Sequence, residues 1–489
     1  MKILIENFGP VERFEFDTNK SMHLIVGNNN VGKSYSLTAY YFAIKALLSF
    51  QSERRGYYFL DEVEEVDEVA EAQEQAFFTR FREKKKGDLI ITDIFKDVAA
   101  SFVKDAVADK FTQLVKSSFY EFESIANQFS ESEVSRVTFS MHRLKIVLEG
   151  GIEEFKVREV DFGCPVLLRT VTQNRTPLYN GSKLVIYRKL SHSPDDVLAE
   201  IKLEVVRRVS RAIFAQTSNI VDINYLPASR SGLYQALSAF GLIVAELSKS
   251  RSLITSKIEL PGISGQLSDY FIKLTSIVES KADVLVPFEE IAAKIEGTVL
   301  KGKIEYDYEK KKLYYTPDNT NLRLDLSATS SMVSEIGPVV TYIRHILSEG
   351  MGGLKSIRRR GGGFSPAVTA LLRKGPDRKQ ILIIEEPEAH LHPLNQIKMT
   401  ELYAELTKIG VLVIMTSHSN YVFNKVSNLV MSGSLSPSSV RCDLFNMGDG
   451  GSSGLAQEID EYGIDDKNFV DASELLLNEK LSLLDRVGS

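Results

Sequence analysis

The hydrophobic positions near the start of the chain first alternate with polar ones and then recur at helical spacing. Ile3 and Ile5 alternate with polar neighbours, and a second alternating segment follows the turn at 7–10. A short apolar run at 23–26 leads into a glycine-rich loop, and apolar residues then recur every three or four positions from Leu37 onward. Alternation predicts strands and the later spacing predicts a helix. The chain therefore opens with strands, a loop and a helix.

The second half of the chain returns to alternating strands and helices. An apolar run at 381–384 predicts a buried strand, and a helix with one apolar face follows it and ends at Gly410. The run 411–415 predicts the next buried strand, and the alternation across 304–315 predicts a hairpin. Strands that alternate with helices indicate a largely parallel sheet. The predicted class is α/β, with a mixed, largely parallel sheet.

Residues 51–215 interrupt this scheme and read as a helix-rich insertion with some strands. Strand-like alternation occurs at 137–148 and 155–162, and a capped helix begins at Ser193. The predicted division of the chain has four parts, which are the N-terminal part of a head (1–50), the insertion (51–215), the C-terminal part of the head (216–432) and a tail (433–489).

Composition narrows the class of protein. The 489 residues are 43% hydrophobic and 25% charged, with a net charge of −6. Apolar runs are too short for a membrane span, and Met1 leads directly into a strand-like segment, so we expect neither a membrane protein nor a secretory signal. The two cysteines, Cys164 and Cys442, have no partners at metal-ligand spacing. These features predict a cytoplasmic protein without a zinc site or a disulfide framework.

A phosphate-binding loop is predicted between the first buried strand and the first helix. The segment fits the pattern GxxxxGK[ST] and comprises Gly27, Asn28, Asn29, Asn30, Val31, Gly32, Lys33 and Ser34, with Tyr35 next in the helix. The glycines let the backbone N–H groups turn toward phosphates, to which the helix N-terminus adds its positive end. Lys33 can reach the β- and γ-phosphates of ATP, and the Ser34 hydroxyl can bind Mg²⁺.

Two carboxylates follow the buried strand 381–384. Glu385 and Glu386 are therefore expected at the carboxyl edge of the sheet, where ligands bind in open α/β folds. Glu385 is predicted to hold Mg²⁺, and Glu386 to orient or deprotonate the attacking water. His418 follows the next buried strand, within Thr416-Ser417-His418-Ser419, and is predicted to contact the γ-phosphate.

Together these motifs resemble the ABC-type ATPases of the overcoming-lysogenization-defect (OLD) and RecF group. The first strand and turn, Ile5–Pro10, and the run Glu385-Glu386-Pro387-Glu388-Ala389-His390-Leu391-His392-Pro393 also resemble that group. The resemblance covers residues 1–50 and 220–432. It implies an ABC-type ATPase head that uses ATP and Mg²⁺, and a homo-oligomer in which two heads sandwich the nucleotide.

The resemblance also implies a serine-led signature helix that faces the γ-phosphate of the other head. The best candidate is 326–331, in which Ser330 and Ser331 would bind the nucleotide; an ordinary helix cap is the alternative. Sequence does not choose among Gln51, Gln73 and Gln75 for the expected Q-loop glutamine.

Three further features are open to more than one interpretation. Arg230, in the motif 225–231, contacts a phosphate, braces the phosphate-binding loop or lies in a surface turn. His390 and His392, with Glu388, invite a metal site, which we disfavour because alternate loop residues seldom supply three ligands. The basic loop 355–379 is either a contact for nucleic acid or an acidic protein, or a solvated loop.

These features favour an ATP-driven sensor or scaffold that controls a separate effector. Only about one hundred residues follow Glu386, without an Asp-x-Asp pair, so we expect no fused nuclease in this head. The chain resembles ATPase subunits of two-gene anti-phage defence systems, PARIS-type before Septu-type, which implies a separate nuclease as partner. A RecF-like DNA-repair ATPase is the alternative, and a transporter ATPase is the third.

Overall fold

The computed structural model describes residues 1–53, 71–83, 87–119, 122–130, 134–151, 153–173, 175–234, 264–279, 284–352, 378–466 and 469–487. Its strands, in chain order, are β1 (Lys2–Phe8), β2 (Val11–Asp17), β3 (Met22–Gly27), β4 (Asp88–Ile90), β5 (Arg136–Met141), β6 (Leu144–Gly150), β7 (Phe155–Asp161), β8 (Val166–Val171), β9 (Leu178–Asn180), β10 (Lys183–Lys189), β11 (Ile220–Leu226), β12 (Gly302–Asp307), β13 (Lys312–Pro317), β14 (Leu324–Asp325), β15 (Lys379–Glu385), β16 (Val411–Ser417), β17 (Val440–Gly448), β18 (Gly451–Ala456), β19 (Ile459–Asp460) and β20 (Gly463–Ile464).

The α-helices, in chain order, are α1 (Lys33–Glu53), α2 (Glu71–Glu83), α3 (Thr92–Val103), α4 (Asp109–Lys116), α5 (Pro194–Thr217), α6 (Gly265–Thr275), α7 (Val286–Ile295), α8 (Ser331–Thr341), α9 (Ser348–Gly352), α10 (Pro393–Lys408), α11 (Asn420–Met431) and α12 (Val470–Val487). Among the residues described, no helix has the length and hydropathy needed to cross a membrane.

The chain divides into two compact units. Unit 1 comprises Met1–Asp17, Thr38–Ser218 and Asp449–Gly451, and unit 2 comprises Thr18–Leu37, Asn219–Gly448 and Ser452–Ser489. These two units are defined by which residues lie close together in space. They do not test the four-part division along the sequence, which stays a prediction.

Unit 2 is built on a parallel sheet with the strand order β11-β15-β16-β3-β17. Every residue of β3 and β16 is buried, as expected for central strands covered on both faces by helices. The registers pair Glu385 with Thr416, and Ser417 with Val26. The carboxyl ends of β15, β16 and β3 therefore lie side by side at one edge of the sheet.

Unit 1 contains an antiparallel sheet in the order β2-β1-β5-β6-β7 and a smaller mixed sheet in the order β4-β8-β10-β9. Its longest helix, α5, begins with a capping box in which Ser193 and Asp196 each accept a backbone N–H from the other. The predicted α/β class with a mixed sheet is confirmed. The five-stranded parallel part belongs to unit 2, whereas β8 and β10 form a parallel pair in unit 1. Residues 51–215 contain strands β4–β10 as well as helices.

Candidate functional site: a phosphate-binding loop and two carboxylates

The loop between β3 and α1 turns back on itself through left-handed backbone conformations. Gly27 has φ +141°, Asn30 has φ 62° and Gly32 has φ 81°. A Cβ on Gly27 would lie 2.5 Å from the carbonyl oxygen of Phe445 in the neighbouring strand β17, so only glycine fits there. Asn28, Asn29 and Asn30 are exposed at the loop tip, and Val31 is buried. This conformation suits a loop that presents backbone N–H groups to phosphates.

Lys33, the first residue of α1, is folded into this loop. Its ammonium donates hydrogen bonds to the carbonyl oxygens of Gly27 (3.0 Å) and Asn28 (2.6 Å), and the residue is 7% exposed. Burial lowers the pKa of Lys33 to about 8, although the carboxylates of Glu386 and Glu388 act in the opposite direction. A phosphate in the loop would favour the charged ammonium and raise this pKa.

Glu385 lies at the end of β15, against the start of α1 and the residues after β11. Its carboxylate accepts hydrogen bonds from the hydroxyls of Ser34 and Tyr225 and from the backbone of Ala228. Burial raises the pKa of Glu385, and the neighbouring charge of Glu386 raises it further. Within the described part of the chain, its Oε1 is buried without a hydrogen-bond partner.

The Ser34 hydroxyl and the Glu385 carboxylate fit a magnesium ion. Mg²⁺ prefers hard oxygen ligands and is commonly held by one or two protein groups together with phosphate oxygens and water. The buried, unpartnered Oε1 of Glu385 is an oxygen that such an ion would satisfy. No cluster of three or more His, Cys, Asp or Glu residues suited to a metal occurs among the residues described. The protein would therefore supply only part of the coordination shell.

Glu386 occupies the turn after β15 in a left-handed conformation, with φ 44°. Its N–H donates to the carbonyl oxygen of Thr416, at 3.1 Å, which ties the turn to the end of β16. The carboxylate acts electrostatically on both Lys33 and His418. This places an acceptor for a proton beside the loop that Lys33 closes.

His418 follows β16 and meets the loop from the same side. Its ring hydrogen-bonds to the backbone of Gly27, and its pKa is lowered chiefly by burial and then by the charge of Lys33. Glu388 anchors this segment, because its Oε1 accepts from the Ser417 hydroxyl (3.0 Å) and from the His418 N–H (2.6 Å). Lys33, Glu386 and His418 thus lie near enough to interact electrostatically at the carboxyl edge of the sheet.

Arg230 is fully buried and holds the turn that contains Glu385 and Glu386, which the sequence alone does not indicate. Its guanidinium donates to the carbonyl oxygens of Pro227 (3.0 Å), Glu385 (3.0 Å) and Glu386 (3.3 Å). Its Nε lies 3.1 Å from Glu335 Oε2, and both side chains are 0% exposed. The interpretation of 225–231 as a surface turn is wrong, because Arg230 is 0% exposed and braces the backbone of the two glutamates instead.

Glu335 belongs to α8, the helix whose start is the candidate signature. Ser330 caps α8 by accepting the N–H of Val333 at 3.4 Å, and Ser330 and Ser331 are both exposed. The helix is uninterrupted through Pro338, and a π-helical turn, Tyr342–Leu347, follows it. Arg230 therefore connects the helix that bears these serines with the carboxylate turn.

The remaining predicted residues lie elsewhere. His392 caps α10 through Nδ1, which accepts the N–H of Leu394 at 3.3 Å, and His390 is exposed with φ 60°. Gln51 is buried in α1 and Gln75 is exposed in α2, so the Q-loop glutamine stays open. The basic loop predicted as a contact surface lies, apart from Arg378 and Lys379, outside the described residues.

Comparison with known proteins extends to part of the site. Residues 367–423 match the family model described as AAA ATPase domain, and this segment contains Glu385, Glu386 and His418. No curated protein matches the chain.

Several solved structures superpose on the chain at low similarity. An SMC head bound to the C-winged helix domain of ScpA is 10% identical with a TM-score of 0.37, over 94% of this chain and 98% of that chain. An Smc head with an extended coiled coil bound to the C-terminal domain of ScpA, derived from Pyrococcus furiosus, is 10% identical with a TM-score of 0.34, over 100% and 99%. The SMC head domain from Thermotoga maritima is 10% identical with a TM-score of 0.32, over 94% of this chain and 98% of that chain. Superpositions of this quality carry no argument about function. What the comparisons establish is that residues 367–423 are similar to an AAA ATPase domain.

Proposed function

We propose that this chain binds ATP with Mg²⁺ and hydrolyses it to ADP and phosphate. The proposal rests on the proximity of Lys33, Glu386 and His418 beside the loop 27–32. The Ser34 hydroxyl also donates a hydrogen bond to Glu385. A cation, a carboxylate pair and a loop of left-handed residues at one sheet edge are the parts that phosphoryl transfer from a nucleotide requires. The similarity of residues 367–423 to an AAA ATPase domain supports the same reaction.

In the proposed mechanism each residue has one task. Lys33 and the loop N–H groups neutralise the β- and γ-phosphates. Ser34 with Glu385 would hold Mg²⁺, which would supply further neutralisation of the phosphate charge. Glu386 accepts a proton as the water oxygen bonds to the γ-phosphorus and the bond to the bridging oxygen of ADP breaks. The ring of His418 hydrogen-bonds to the backbone of Gly27. When ATP is bound, we propose that the ring exchanges this hydrogen bond for one to the γ-phosphate.

We further propose that two such heads sandwich ATP and that their pairing controls a separate effector, a nuclease, in cytoplasmic anti-phage defence. The exposed position of Ser330 and Ser331 at the start of α8 supports pairing, because a residue that faces another head must be accessible. The two free thiols, Cys164 and Cys442, agree with a reducing compartment. The assignment to defence rests on the resemblance of the motifs.

The substitution Lys33→Ala tests the nucleotide site. We expect it to weaken ATP binding by about tenfold to a hundredfold, because hydrogen bonds from a charged group to phosphate contribute about 1.5–3 kcal/mol. Calorimetric titration with Mg²⁺-ATP measures this affinity. Lys303→Ala, which removes an exposed lysine from β12, is the matched control and should bind ATP normally. An unchanged affinity in Lys33→Ala would remove the assignment of the loop.

A further inference from the structure

A groove beside α5 in unit 1 concentrates positive charge that the proposed ATPase does not use. Two pockets of about 420 and 320 Å³ share Pro177 in their walls and lie against successive turns of α5. We call them together the α5 groove. The lining of the larger pocket includes Arg143, Tyr179, Arg208 and Arg211. The cationic side chains of the smaller pocket are Arg175, Arg188, Lys189 and Arg207.

The charge of the groove is opposite to that of the whole chain, whose net charge is −6. Among the described residues that line it, the larger pocket has no acidic side chain, and the smaller has only Glu200 and Glu204. Glu204 is engaged by Arg208, at 2.5 Å, within α5. Arg143 and Arg211 have no acidic partner in the part of the chain that the structure describes. A local excess of cations in an acidic protein is the pattern expected for a polyanion contact.

Arg143 occupies a position that backbone stability does not explain. It lies at the tip of the β5–β6 hairpin with φ 58°, a left-handed conformation in which glycine and asparagine are favoured over arginine. The residue is exposed, so burial does not compensate for this unfavourable conformation. The turn places Arg143 in the wall of the larger pocket, where its side chain adds a positive charge to the groove.

Tyr179 orients two of the guanidinium groups. The Arg143 guanidinium lies 4.3 Å and the Arg208 guanidinium 4.6 Å from the centre of the Tyr179 ring. Contact with an aromatic ring uses the flat face of a guanidinium and leaves its in-plane N–H donors free of the ring. The Arg208 Nε pairs with Glu204, whereas the N–H donors of Arg143 are available for bidentate bonds to phosphate. Protein grooves that follow the backbone of single-stranded DNA or RNA combine cations with aromatic rings in this way.

We propose that the α5 groove binds the phosphate backbone of a single-stranded nucleic acid. Two adjoining pockets with cations along both suit a ligand whose charges repeat along a line, and the stacked guanidiniums suit phosphate oxygens. This binding does not depend on the nucleotide site, so the variant Lys33→Ala retains it.

Fluorescence anisotropy with a labelled single-stranded oligonucleotide tests the proposal on the full chain without ATP. The double variant Arg143→Asn, Arg211→Gln should bind at least tenfold more weakly. The slope of log affinity against log salt should fall by about 0.7 for each phosphate that the variant no longer neutralises. Asparagine accepts the left-handed turn, so thermal unfolding should stay at or above the wild-type temperature. The double variant Lys303→Ala, Lys310→Ala, whose two exposed lysines lie outside the groove, controls for removal of two positive charges.

Two results would overturn the assignment. An affinity and salt slope in the double variant equal to those of the wild type would show that nucleic acid does not use this groove. Competition by polyglutamate as effective as that by an unlabelled oligonucleotide of equal charge would identify a general acidic-protein site instead. If Lys33→Ala loses ATP binding but keeps the oligonucleotide, the two sites are separate.

Discussion

Glu386 shows how a single residue is held in an unfavourable conformation near Lys33 and His418. Its φ of 44° is uncommon for a side chain of this size, and such a conformation persists only where the surroundings fix it. Here the Thr416 carbonyl oxygen accepts its N–H, and Arg230 donates to its carbonyl oxygen. These bonds fix the backbone on both sides of its Cα. The carboxylate is therefore aimed by the backbone rather than by packing of its own side chain.

Replacing Glu386 by glutamine should separate binding of ATP from its hydrolysis. Glutamine has the same size but does not accept a proton from water, so phosphate release should slow by about 10²–10⁴-fold. Binding of Mg²⁺-ATP should persist, because Lys33 and the loop are unchanged. A single-turnover phosphate-release assay gives the rate, and light scattering with and without ATP gives head pairing, which the slow variant should prolong.

The control for this variant is Glu305→Gln, an exposed glutamate of β12 in the same unit. It should release phosphate at the wild-type rate. Turnover by Glu386→Gln at the rate of that control would mean that another group handles the water.

At the scale of single residues, the sequence predicts those whose position follows from the strand that precedes them in the chain. Lys33, Glu385 and His418 each follow a buried strand, and parallel strands end at the same edge, so their proximity can be anticipated. The hydrogen bonds of Tyr225 and Ala228 to Glu385 are not predictable in this way, because they come from a strand about 160 residues earlier. The motif 225–231 is the only signal, and it does not say which group its residues touch.

At the scale of elements, β17 (Val440–Gly448) shows why some strands escape prediction. Arg441 and Asp443 interrupt its apolar run, yet Asp443 is 0% exposed next to β3. The carboxylate is satisfied by His23 Nε2 at 2.5 Å and by the Arg441 guanidinium, which together hold the pKa of Asp443 below its usual range. Sequence periodicity treats a charged residue as exposed, whereas here its partners lie on the neighbouring strand and on its own.

The ion pair of Arg230 and Glu335 connects two elements that are proposed to act on the nucleotide, the turn with Glu385 and Glu386 and helix α8. Removing one charge should leave the other buried and unpaired, which costs about 3–5 kcal/mol. Glu335 also accepts the N–H and the hydroxyl of Ser231, so the variant Glu335→Gln keeps an acceptor there while losing the charge. Urea unfolding should show this decrease in stability.

The double variant Arg230→Met, Glu335→Leu distinguishes a positioning role from a structural one. Replacing both charges by apolar residues leaves no unpaired buried charge, so the double variant should lose less stability than Glu335→Gln, although the groups that Arg230 and Glu335 hydrogen-bond still lose a partner. The carbonyl oxygens of Glu385 and Glu386 nevertheless lose their donor. We therefore expect kcat for ATP to fall at least tenfold while KM changes little. Wild-type kcat in a double variant that is folded under the assay conditions would reduce the pair to a structural role.

For the whole molecule, local patterns suffice for the α/β class but not for the arrangement of units. Residues 51–215, which the sequence predicts to be an insertion, contain the antiparallel strands β5–β7 and a second mixed sheet, β4-β8-β10-β9, in which β8 and β10 pair in parallel. Which strands pair across such separations depends on complementary side chains in three dimensions, and periodicity does not encode this. Unit 1 also includes residues 449–451 from near the end of the chain, which no local pattern indicates.

Control of an effector is a property of the assembled molecule and is tested at that scale. If ATP holds two heads together, surfaces that exist only in the pair are present when ATP is bound and absent when it is not. Co-expression with the tagged product of the adjacent gene should therefore recover a complex with the wild-type chain and with Glu386→Gln in ATP, and at least tenfold less with Lys33→Ala. Lys303→Ala should behave as the wild type. Equal recovery with all four chains would show that nucleotide does not govern the partner, and recovery of a membrane permease with the chain would replace the effector hypothesis by a transporter.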